Sequence, residues 1–297
     1  MLLKDFLNEG VARLESLYPT KEARNIMLML CESRIGTKSY THIVEPEYQV
    51  KDKSLEGLGA DLNRLAAGEP VQYVIGFADF CGLRFKVTPD VLIPRPETEL
   101  LCREAIKIGS RMQRMRKAYG KSAKPVRVLD LCTGSGCIAI SLARAMRFAQ
   151  VSAFDISPDA LEVAKRNAKE QRCRIDFSLT DILTAKPTGC YDIIVSNPPY
   201  ICQSESLEMC DNVLKYEPHT ALFVPDDDPL RFYRAITRFA TTTLSRGGKI
   251  YFEINPLYCA GTMQLLADAG FSNVAATRDF YGKERFVSAT LKNSDEQ

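Results

Sequence analysis

From residue 126 onward, patterns typical of strands and helices alternate almost to the end of the chain. Strands that alternate with helices of this length imply a mostly parallel sheet with helices on both faces. The sequence therefore predicts an α/β fold, completed by an antiparallel pair at residues 274–277 and 286–291. The other predicted strands cover residues 126–131, 151–155, 175–179, 191–196 and 249–254, and the helices lie at 138 onward, 158 onward, 230–244 and 260–269.

The first 125 residues have a different character. Residues 1–70 carry apolar side chains at helical spacing and no convincing strand, so we predict a small helical bundle. The following stretch predicts two extended segments, 71–75 and 83–87, in a β-hairpin linker. Residues 93–96 cannot be helical, because each residue before a proline is pushed to extended geometry. We therefore predict a helical domain at 1–70, a linker at 71–96 and an α/β domain at 97–297.

A glycine turn, Cys132-Thr133-Gly134-Ser135-Gly136, follows the first buried strand. Its glycines let the backbone approach a ligand closely, and in doubly wound sheets this turn binds a nucleoside. Asp155 closes the next strand, where a carboxylate can accept hydrogen bonds from both ribose hydroxyls. The alternative is that Asp155 only caps the helix after Ser157. Ala139 replaces the third glycine of a dinucleotide fingerprint, which favours a nucleoside without phosphates, such as S-adenosylmethionine.

A second motif, Asn197-Pro198-Pro199-Tyr200, follows the buried strand at 191–196. Two prolines rigidify the backbone, so the Asn197 side-chain carbonyl and the Pro198 backbone carbonyl can accept from one NH2 group. Accepting both protons orients the nitrogen lone pair and stabilises the positive charge that develops on the nitrogen. Tyr200 offers an aromatic face to a planar amide or amine. The alternative is a loop that merely ends the strand.

The order of glycine turn, ribose acid and Asn-Pro-Pro-Tyr is shared by methyltransferases that act on adenine and on glutamine. Longer matches favour glutamine: over about residues 1–291, the chain resembles the protein-(glutamine-N5) methyltransferases that modify class I peptide release factors. The matching segments are Gly68-Glu69-Pro70, Phe80-Cys81-Gly82-Leu83-Arg84-Phe85, Leu92-Ile93-Pro94-Arg95-Pro96-Glu97-Thr98-Glu99, Tyr216-Glu217-Pro218, Ala221-Leu222, Asp279 and Glu284-Arg285.

This resemblance implies a Rossmann-like class I methyltransferase domain that uses S-adenosylmethionine, releases S-adenosylhomocysteine and needs no metal. It implies that residues 132–136, Asp155 and Asn197 contact the cofactor, with Asp181 or Ile182 flanking the adenine. Asn197, Pro198, Pro199 and Tyr200 are then expected to hold the glutamine of a release factor's Gly-Gly-Gln motif. The helical domain is expected to help grip the release factor.

The chain departs from the family pattern at three places. Cys132 stands where the family usually has glycine, so we expect no positive φ there. Ile182 replaces an aromatic residue found in some members, which predicts aliphatic packing on the adenine. Residues 224–229, Val-Pro-Asp-Asp-Asp-Pro, replace a glycine-rich stretch, and the sequence assigns them no role.

The amino-acid composition helps to choose between the alternative functions. A formal net charge of only +2 argues against a surface devoted to duplex nucleic acid, so adenine-N6 methylation is disfavoured. Methylation of a ribosomal-protein glutamine and a non-catalytic binding module remain open. Residues 107–127 contain eight basic residues and no acid, which predicts a solvated, partly disordered loop, with RNA contact as the alternative.

The scattered cysteines and two isolated histidines form no zinc motif, so we predict reduced thiols and no metal. No uninterrupted apolar run reaches about 18 residues, the length that a membrane span needs. The first residues also lack a signal-peptide pattern. We therefore expect a cytoplasmic protein without a membrane anchor.

Overall fold

A computed structural model describes residues 1–118 and 124–292, which form two compact units. One unit comprises Met1–Phe77 together with Met209–Tyr216, and the other comprises the described residues of Ala78–Glu208 and of Glu217–Gln297. The boundaries at residues 70 and 96, which divide the chain into a helical domain, a linker and an α/β domain, stay a prediction. In the part of the chain that the structure describes, no helix combines the length and apolar character needed to cross a membrane.

The first unit is helical, as predicted. Its core is built mainly from aliphatic side chains, and Leu7, Leu14, Met27, Leu30 and Leu62 are among those that are almost fully buried. Burial of these apolar stripes stabilises the bundle, because short isolated helices are marginal in water. The helices are α1 (Leu3–Leu14), α2 (Thr20–Ile35), α3 (Thr41–Val44), α4 (Asp52–Ala66) and α5 (Val71–Ile75).

The extended segment predicted at residues 71–75 is wrong, because those residues form α5. Val71, Val74 and Ile75 recur at helical spacing and are buried in the helical core. Gly76 ends the helix with a left-handed φ of 86°. A short apolar run rich in β-branched residues suits either structure, and burial against neighbouring helices selects the helix. The hairpin is formed instead by β1 (Phe77–Phe80) and β2 (Leu83–Lys86).

The second unit is the predicted α/β fold. Its helices are α6 (Thr98–Ala118), α7 (Cys137–Ala145), α8 (Pro158–Glu170), α10 (His219–Leu222), α11 (Arg231–Thr243) and α12 (Cys259–Asp268), whereas α9 (Asp211–Tyr216) belongs to the first unit. Its remaining strands are β3 (Arg127–Leu131), β4 (Gln150–Asp155), β5 (Asp176–Leu179), β6 (Tyr191–Ser196), β7 (Ile201–Cys202), β8 (Phe223–Val224), β9 (Leu244–Glu253), β10 (Phe271–Arg278) and β11 (Glu284–Leu291).

Seven strands form one sheet in the order β10-β11-β9-β6-β3-β4-β5. The strands from β9 to β5 are parallel, and β11 pairs antiparallel with both β9 and β10. Successive residues of β3 and β6 enter two different apolar clusters, because side chains of a strand alternate between faces. Helices α6 and α7 cover one face and α11 and α12 the other, which confirms the predicted fold class.

The predicted loop over the basic segment is wrong for residues 107–118, which continue α6. The inward face of this helix carries Leu101, Cys102, Ala105, Gly109 and Gln113, all buried. Its basic side chains lie mostly on the outer face, and Arg116 Nη2 contacts the buried Asp192 Oδ1 at 2.6 Å. The segment is therefore an amphipathic helix. Gly109 and Gln113 interrupt the apolar pattern of its buried face, so the sequence does not reveal the helix. Residues 119–123 of the segment lie outside the described part of the chain.

Candidate functional site

The carboxyl ends of three neighbouring strands carry the residues singled out in the sequence. Strand β3 lies between β4 and β6, so the glycine turn, Asp155 and the Asn-Pro-Pro-Tyr loop meet at one edge of the sheet. The Ser196 hydroxyl donates to the Leu131 carbonyl at 2.7 Å and fixes β6 to β3 just before both loops begin. Ligands bind at such a switch point in open α/β sheets.

The glycine turn uses left-handed backbone at alternate residues. The φ angles are 61° at Cys132, 53° at Gly134 and 80° at Gly136. The expectation that Cys132 avoids positive φ is wrong. A left-handed non-glycine residue costs roughly 1–2 kcal/mol, and packing of the cysteine side chain against the apolar cluster of the sheet offsets this strain. Burial also raises the pKa of the Cys132 thiol well above its usual range.

The two glycines of the turn serve different purposes. A Cβ on Gly136 would lie 3.1 Å from the Ala164 Cβ, so this glycine lets α8 pack tightly against the turn. A Cβ on Gly134 would meet no described atom within 4 Å. Gly134 therefore leaves space on the ligand side, whereas Gly136 leaves space for a helix.

Asp155 fastens the turn to the start of α8. Its Oδ2 accepts from the Gly134 N–H at 2.8 Å, and its Oδ1 accepts from the Ser157 N–H at 3.0 Å. The helix cap itself is Ser157, whose hydroxyl accepts from the Ala160 N–H. Burial raises the pKa of Asp155, although these backbone N–H bonds act in the opposite direction. Each carboxylate oxygen can still accept a second bond from a ligand.

A second carboxylate, Asp130, lies fully buried beneath the turn. Its Oδ2 accepts from the Thr133 hydroxyl at 2.6 Å and from the Ala139 N–H at 3.1 Å, which joins the turn to α7. Its Oδ1 has no hydrogen-bond partner among the described residues. Burial raises the pKa of Asp130 to about 7, so the acid holds its proton more strongly in the folded protein than in the unfolded chain.

Because folding raises the pKa of Asp130, this residue should make the protein less stable as the pH increases. The neutral acid stabilises the fold fully below pH ~4, and that contribution is lost as the pH rises through about 7. We expect Asp130→Asn, which stays neutral, to lose less thermal stability than the unaltered protein between pH 5 and pH 8. Melting curves of both proteins at the two pH values measure the difference. Equal pH dependence would show that Asp130 titrates normally.

A cavity of about 340 Å³ opens at this edge of the sheet. Its wall contains predicted site residues from all three strand ends and from the loop after β5. Gly136, Pro198 and Tyr200 are next to lining residues and do not themselves line it. The predicted residues that line it are Cys132, Thr133, Gly134, Ser135, Asp155, Asp181, Ile182, Asn197 and Pro199.

Tyr200 is anchored from several directions. Its hydroxyl donates to the buried Glu253 Oε1 at 3.1 Å, and the Thr98 hydroxyl donates to Glu253 Oε2 at 2.6 Å. The Tyr200 N–H donates to the Leu222 carbonyl, and the Asn255 side-chain amide donates to the Tyr200 carbonyl. The loop after Asn197 is consequently held rigidly, as substrate alignment requires.

Removal of the Tyr200 hydroxyl should destabilise the protein while leaving the ring in place. Tyr200→Phe leaves Glu253 Oε1, which belongs to a residue only 2% exposed, without its donor. We expect the free energy of unfolding to fall by about 1–3 kcal/mol, the cost of an unsatisfied buried acceptor. Chemical denaturation measures it, with the exposed Tyr281→Phe as the matched control. Equal midpoints for the two variants would contradict the anchoring role of Glu253.

Sequence reasoning missed two further contacts of the site. Glu217, which is buried, accepts from Arg95 Nη2 at 2.6 Å and from the Ile93 N–H, so the Ile-Pro-Arg-Pro segment is fixed to the loop after Tyr200. Asn167 pairs with the backbone of Lys86 and donates to the Ser135 carbonyl at 2.9 Å. The matching sequence segments hinted at Arg95 and Glu217, and no signal in the sequence pointed to Asn167.

The acidic run at residues 224–229, which the sequence left without a role, fastens two loops. Asp226 Oδ1 accepts from the Ser204 N–H and hydroxyl at 3.0 and 2.9 Å. Asp228 pairs with Arg234 at 3.0 Å. The aspartates therefore shape the end of the loop that follows the Asn-Pro-Pro-Tyr motif.

Two family descriptions match the chain. The PrmC N-terminal domain matches residues 5–76, and the Methyltransferase small domain matches residues 99–218. Solved structures share the fold at low sequence identity. A methyltransferase from Pyrococcus furiosus has a TM-score of 0.50 at 17% identity, covering 71% of this chain and 90% of that one. The hMettl16 catalytic domain has a TM-score of 0.51 at 14% identity, covering 81% and 83%.

Curated relatives cover nearly the whole chain. The release factor glutamine methyltransferase of Bacteroides thetaiotaomicron is 38% identical over 93% of this chain and 95% of its own length. That of Flavobacterium psychrophilum is 38% identical over 98% of this chain and 100% of its own length. Identity at this level over both compact units confirms the resemblance found in the sequence. The chain belongs to the family of release factor glutamine methyltransferases.

Proposed function

We propose that this protein transfers a methyl group from S-adenosylmethionine to the side-chain nitrogen, N5, of the glutamine in the Gly-Gly-Gln motif of class I peptide release factors. The observation that carries the proposal is the shared cavity. Asn197 and Pro199 line it together with the glycine turn and Asp155. A nucleoside-type methyl donor and an amide acceptor can therefore meet at one edge of the sheet.

The lining fits such a donor. Gly134 leaves space on the ligand side, and the Asp155 carboxylate lies at the cavity wall where two ribose hydroxyls can donate to it. Asp181 and Ile182 line the same cavity and would flank the adenine, with Ile182 as an aliphatic surface. When bound, S-adenosylmethionine supplies a methyl group activated by its positively charged sulfur.

The residues of the chain contribute alignment and electrostatics. Pro198 lies between the lining residues Asn197 and Pro199. Its backbone carbonyl and the Asn197 side-chain carbonyl would accept the two N–H bonds of the glutamine amide, which directs the nitrogen lone pair at the methyl carbon. As the N–C bond forms, the bond between the methyl carbon and the donor's sulfur would break, with its electron pair remaining on sulfur. The same two carbonyls stabilise the positive charge that grows on nitrogen. The methylated nitrogen is strongly acidic and would release its proton to solvent water, so the chain needs no strongly basic side chain beforehand.

The acceptor is the point on which alternatives differ, because Asn197 and Pro198 fit an amide and an exocyclic adenine amine equally well. The experiment offers labelled methyl donor with a release factor, a ribosomal protein or DNA as acceptor. We expect label only in the release factor. Preferential labelling of DNA would support adenine methylation, and labelling of no acceptor would support a non-catalytic binding module.

We also propose that residues 1–70 help to recognise the release factor. Deleting them is a poor test, because α5 and residues 209–216 pack within the same helical unit and would lose their partners. The intact chain provides a cleaner test. We expect kcat/KM for a short Gly-Gly-Gln peptide to lie at least about a hundredfold below that for the release factor, because the peptide lacks remote contacts that align the glutamine. Equal values would show that recognition is confined to the cavity.

A further inference from the structure

The most exposed large apolar side chains are concentrated near one site. Among residues 1–118 and 124–292, the four highest exposures belong to Leu207 at 91%, Tyr281 at 78%, Leu257 at 73% and Phe280 at 71%. All four lie in the α/β unit, on three separate segments that the chain brings to the carboxyl ends of β6 and β9. We call these four side chains the apolar rim.

The Leu207 and Leu257 segments are tied to the Asn-Pro-Pro-Tyr loop through Asn255. The Asn255 side-chain amide donates to the Tyr200 carbonyl at 3.3 Å and to the Glu205 carboxylate at 2.9 and 3.0 Å. Its Oδ1 accepts from the Leu257 N–H at 3.0 Å. Asn255 therefore connects the Leu257 backbone, and the Glu205 side chain two residues before Leu207, to the carbonyl of Tyr200.

The third segment is the tight turn between β10 and β11. Asp279 Oδ1 accepts from the Tyr281 and Lys283 N–H groups at 2.9 and 3.0 Å, so the turn that presents the two aromatic side chains is fixed. Asp279 Oδ2 accepts from Arg285 Nε at 3.2 Å. The Arg285 side chain also lies beside the Tyr200 hydroxyl. The aromatic pair is thus connected to the same loop.

Acidic side chains accompany the Leu207 side of the rim, whereas the turn with Phe280 and Tyr281 also carries the exposed Arg278 and Lys283. Residues 201–208 contain Glu205 and Glu208 and no base, and residues 225–229 contain three aspartates and no base. The two stretches are adjacent, because Asp226 accepts from Ser204. Glu208 and Asp227 are exposed. This charge repels a phosphate backbone and attracts lysine and arginine side chains.

We propose that the apolar rim and its acids form the docking surface for the polypeptide that flanks the acceptor glutamine, with apolar residues of the release factor on the rim and basic residues against Glu208 and Asp227. This inference rests on the proposed function. Three observations support it: the rim is continuous with the loop that a protein substrate must reach, its charge suits a basic partner, and its backbone is fixed in advance, so little ordering entropy is lost on binding.

The test compares rim variants with a matched control. Leu207→Ser, Leu257→Ser and Phe280→Ser are combined in one protein, and Met115→Ser, on the outer face of α6, removes a half-exposed apolar side chain elsewhere. We expect the triple variant to raise KM for the release factor at least about tenfold, because buried apolar anchors dominate interface affinity. The kcat at saturation, the KM for S-adenosylmethionine and kcat/KM for the short peptide should stay within about twofold. Glu208→Lys with Asp227→Lys should raise KM for the release factor severalfold.

Each of the other outcomes would overturn either the docking role of the rim or the proposed function. An unchanged KM in the triple variant, while the unaltered protein methylates the release factor, removes the rim from the interface and leaves the proposed function intact. A parallel loss with the peptide would show that the rim supports the loop instead of docking a substrate. Disruption of a dimer without a change in KM would assign the rim to a second copy. Absence of release-factor methylation by the unaltered protein overturns the proposed function itself.

Discussion

Asn197→Ala should lower kcat at least about a hundredfold while the melting temperature changes by only a few degrees. Asn197 lines the cavity at the end of β6, next to prolines that fix the backbone on its carboxyl side. Its side-chain carbonyl is proposed to accept an N–H of the acceptor amide and to stabilise charge that appears only in the transition state. Loss of one preorganised polar group of this kind typically costs two to three orders of magnitude in rate.

Steady-state kinetics at saturating S-adenosylmethionine and release factor measure this effect, and calorimetry measures cofactor affinity separately. Gln203→Ala, which removes an exposed amide shortly after the same loop, serves as the control and should keep kcat within about twofold. Near-normal turnover of Asn197→Ala would mean that another group positions the nitrogen. A large fall in melting temperature would assign Asn197 to folding.

Asp155→Ala should weaken S-adenosylmethionine binding more than any other single change in the cavity wall. The variant loses the proposed bonds to the ribose, each worth roughly 1.5–3 kcal/mol for a charged acceptor. It also releases the Gly134 and Ser157 N–H groups that hold the turn against α8. We expect the dissociation constant to rise at least about a hundredfold, since every 1.4 kcal/mol corresponds to about a factor of ten.

Isothermal titration calorimetry measures the dissociation constant directly. Asp159→Ala is the matched control, because it removes an exposed acid in the first turn of the same helix that does not line the cavity. It should leave affinity within about twofold. Unchanged affinity in Asp155→Ala would remove Asp155 from the cofactor site and reduce it to a residue that shapes the turn.

The sequence predicted the parts of the site that depend on local order along the chain. The glycine turn, Asp155 and the Asn-Pro-Pro-Tyr motif each follow a buried strand, and parallel strands present their carboxyl ends at one edge. The sheet itself was predictable for the same reason, because alternating strands and helices leave few topologies. The structure confirms the α/β fold, the helical bundle and the terminal antiparallel pair.

Contacts between distant positions could not be read in the same way. Asn167 reaches Lys86 across 81 positions, and Thr98 reaches Glu253 across 155. Each of these side chains looks ordinary in its own segment, and only the folded chain gives it a partner. Polar anchors of this kind decide how firmly the turn and the loop are held, and neither periodicity nor spacing reveals them.

The wrong predictions have physical causes as well. A left-handed cysteine at position 132 was not expected, because burial of the side chain can offset backbone strain at a position that usually needs glycine. Residues 107–118 were predicted as a loop although they belong to α6, because Gly109 and Gln113 occupy the buried face of this helix and hide the apolar stripe. In α5, a run that suits a strand is helical because neighbouring helices bury it.

The most direct measurement of the central claim locates the methyl group on the acceptor. The protein is incubated with isotopically labelled S-adenosylmethionine and a full-length class I release factor, and the digested product is sequenced by mass spectrometry. The account predicts one added methyl group, on the side-chain nitrogen of the glutamine in the Gly-Gly-Gln motif, and none with Asn197→Ala over the same time. Label on another residue, or equal labelling of a release factor whose Gly-Gly-Gln glutamine is replaced, would contradict it.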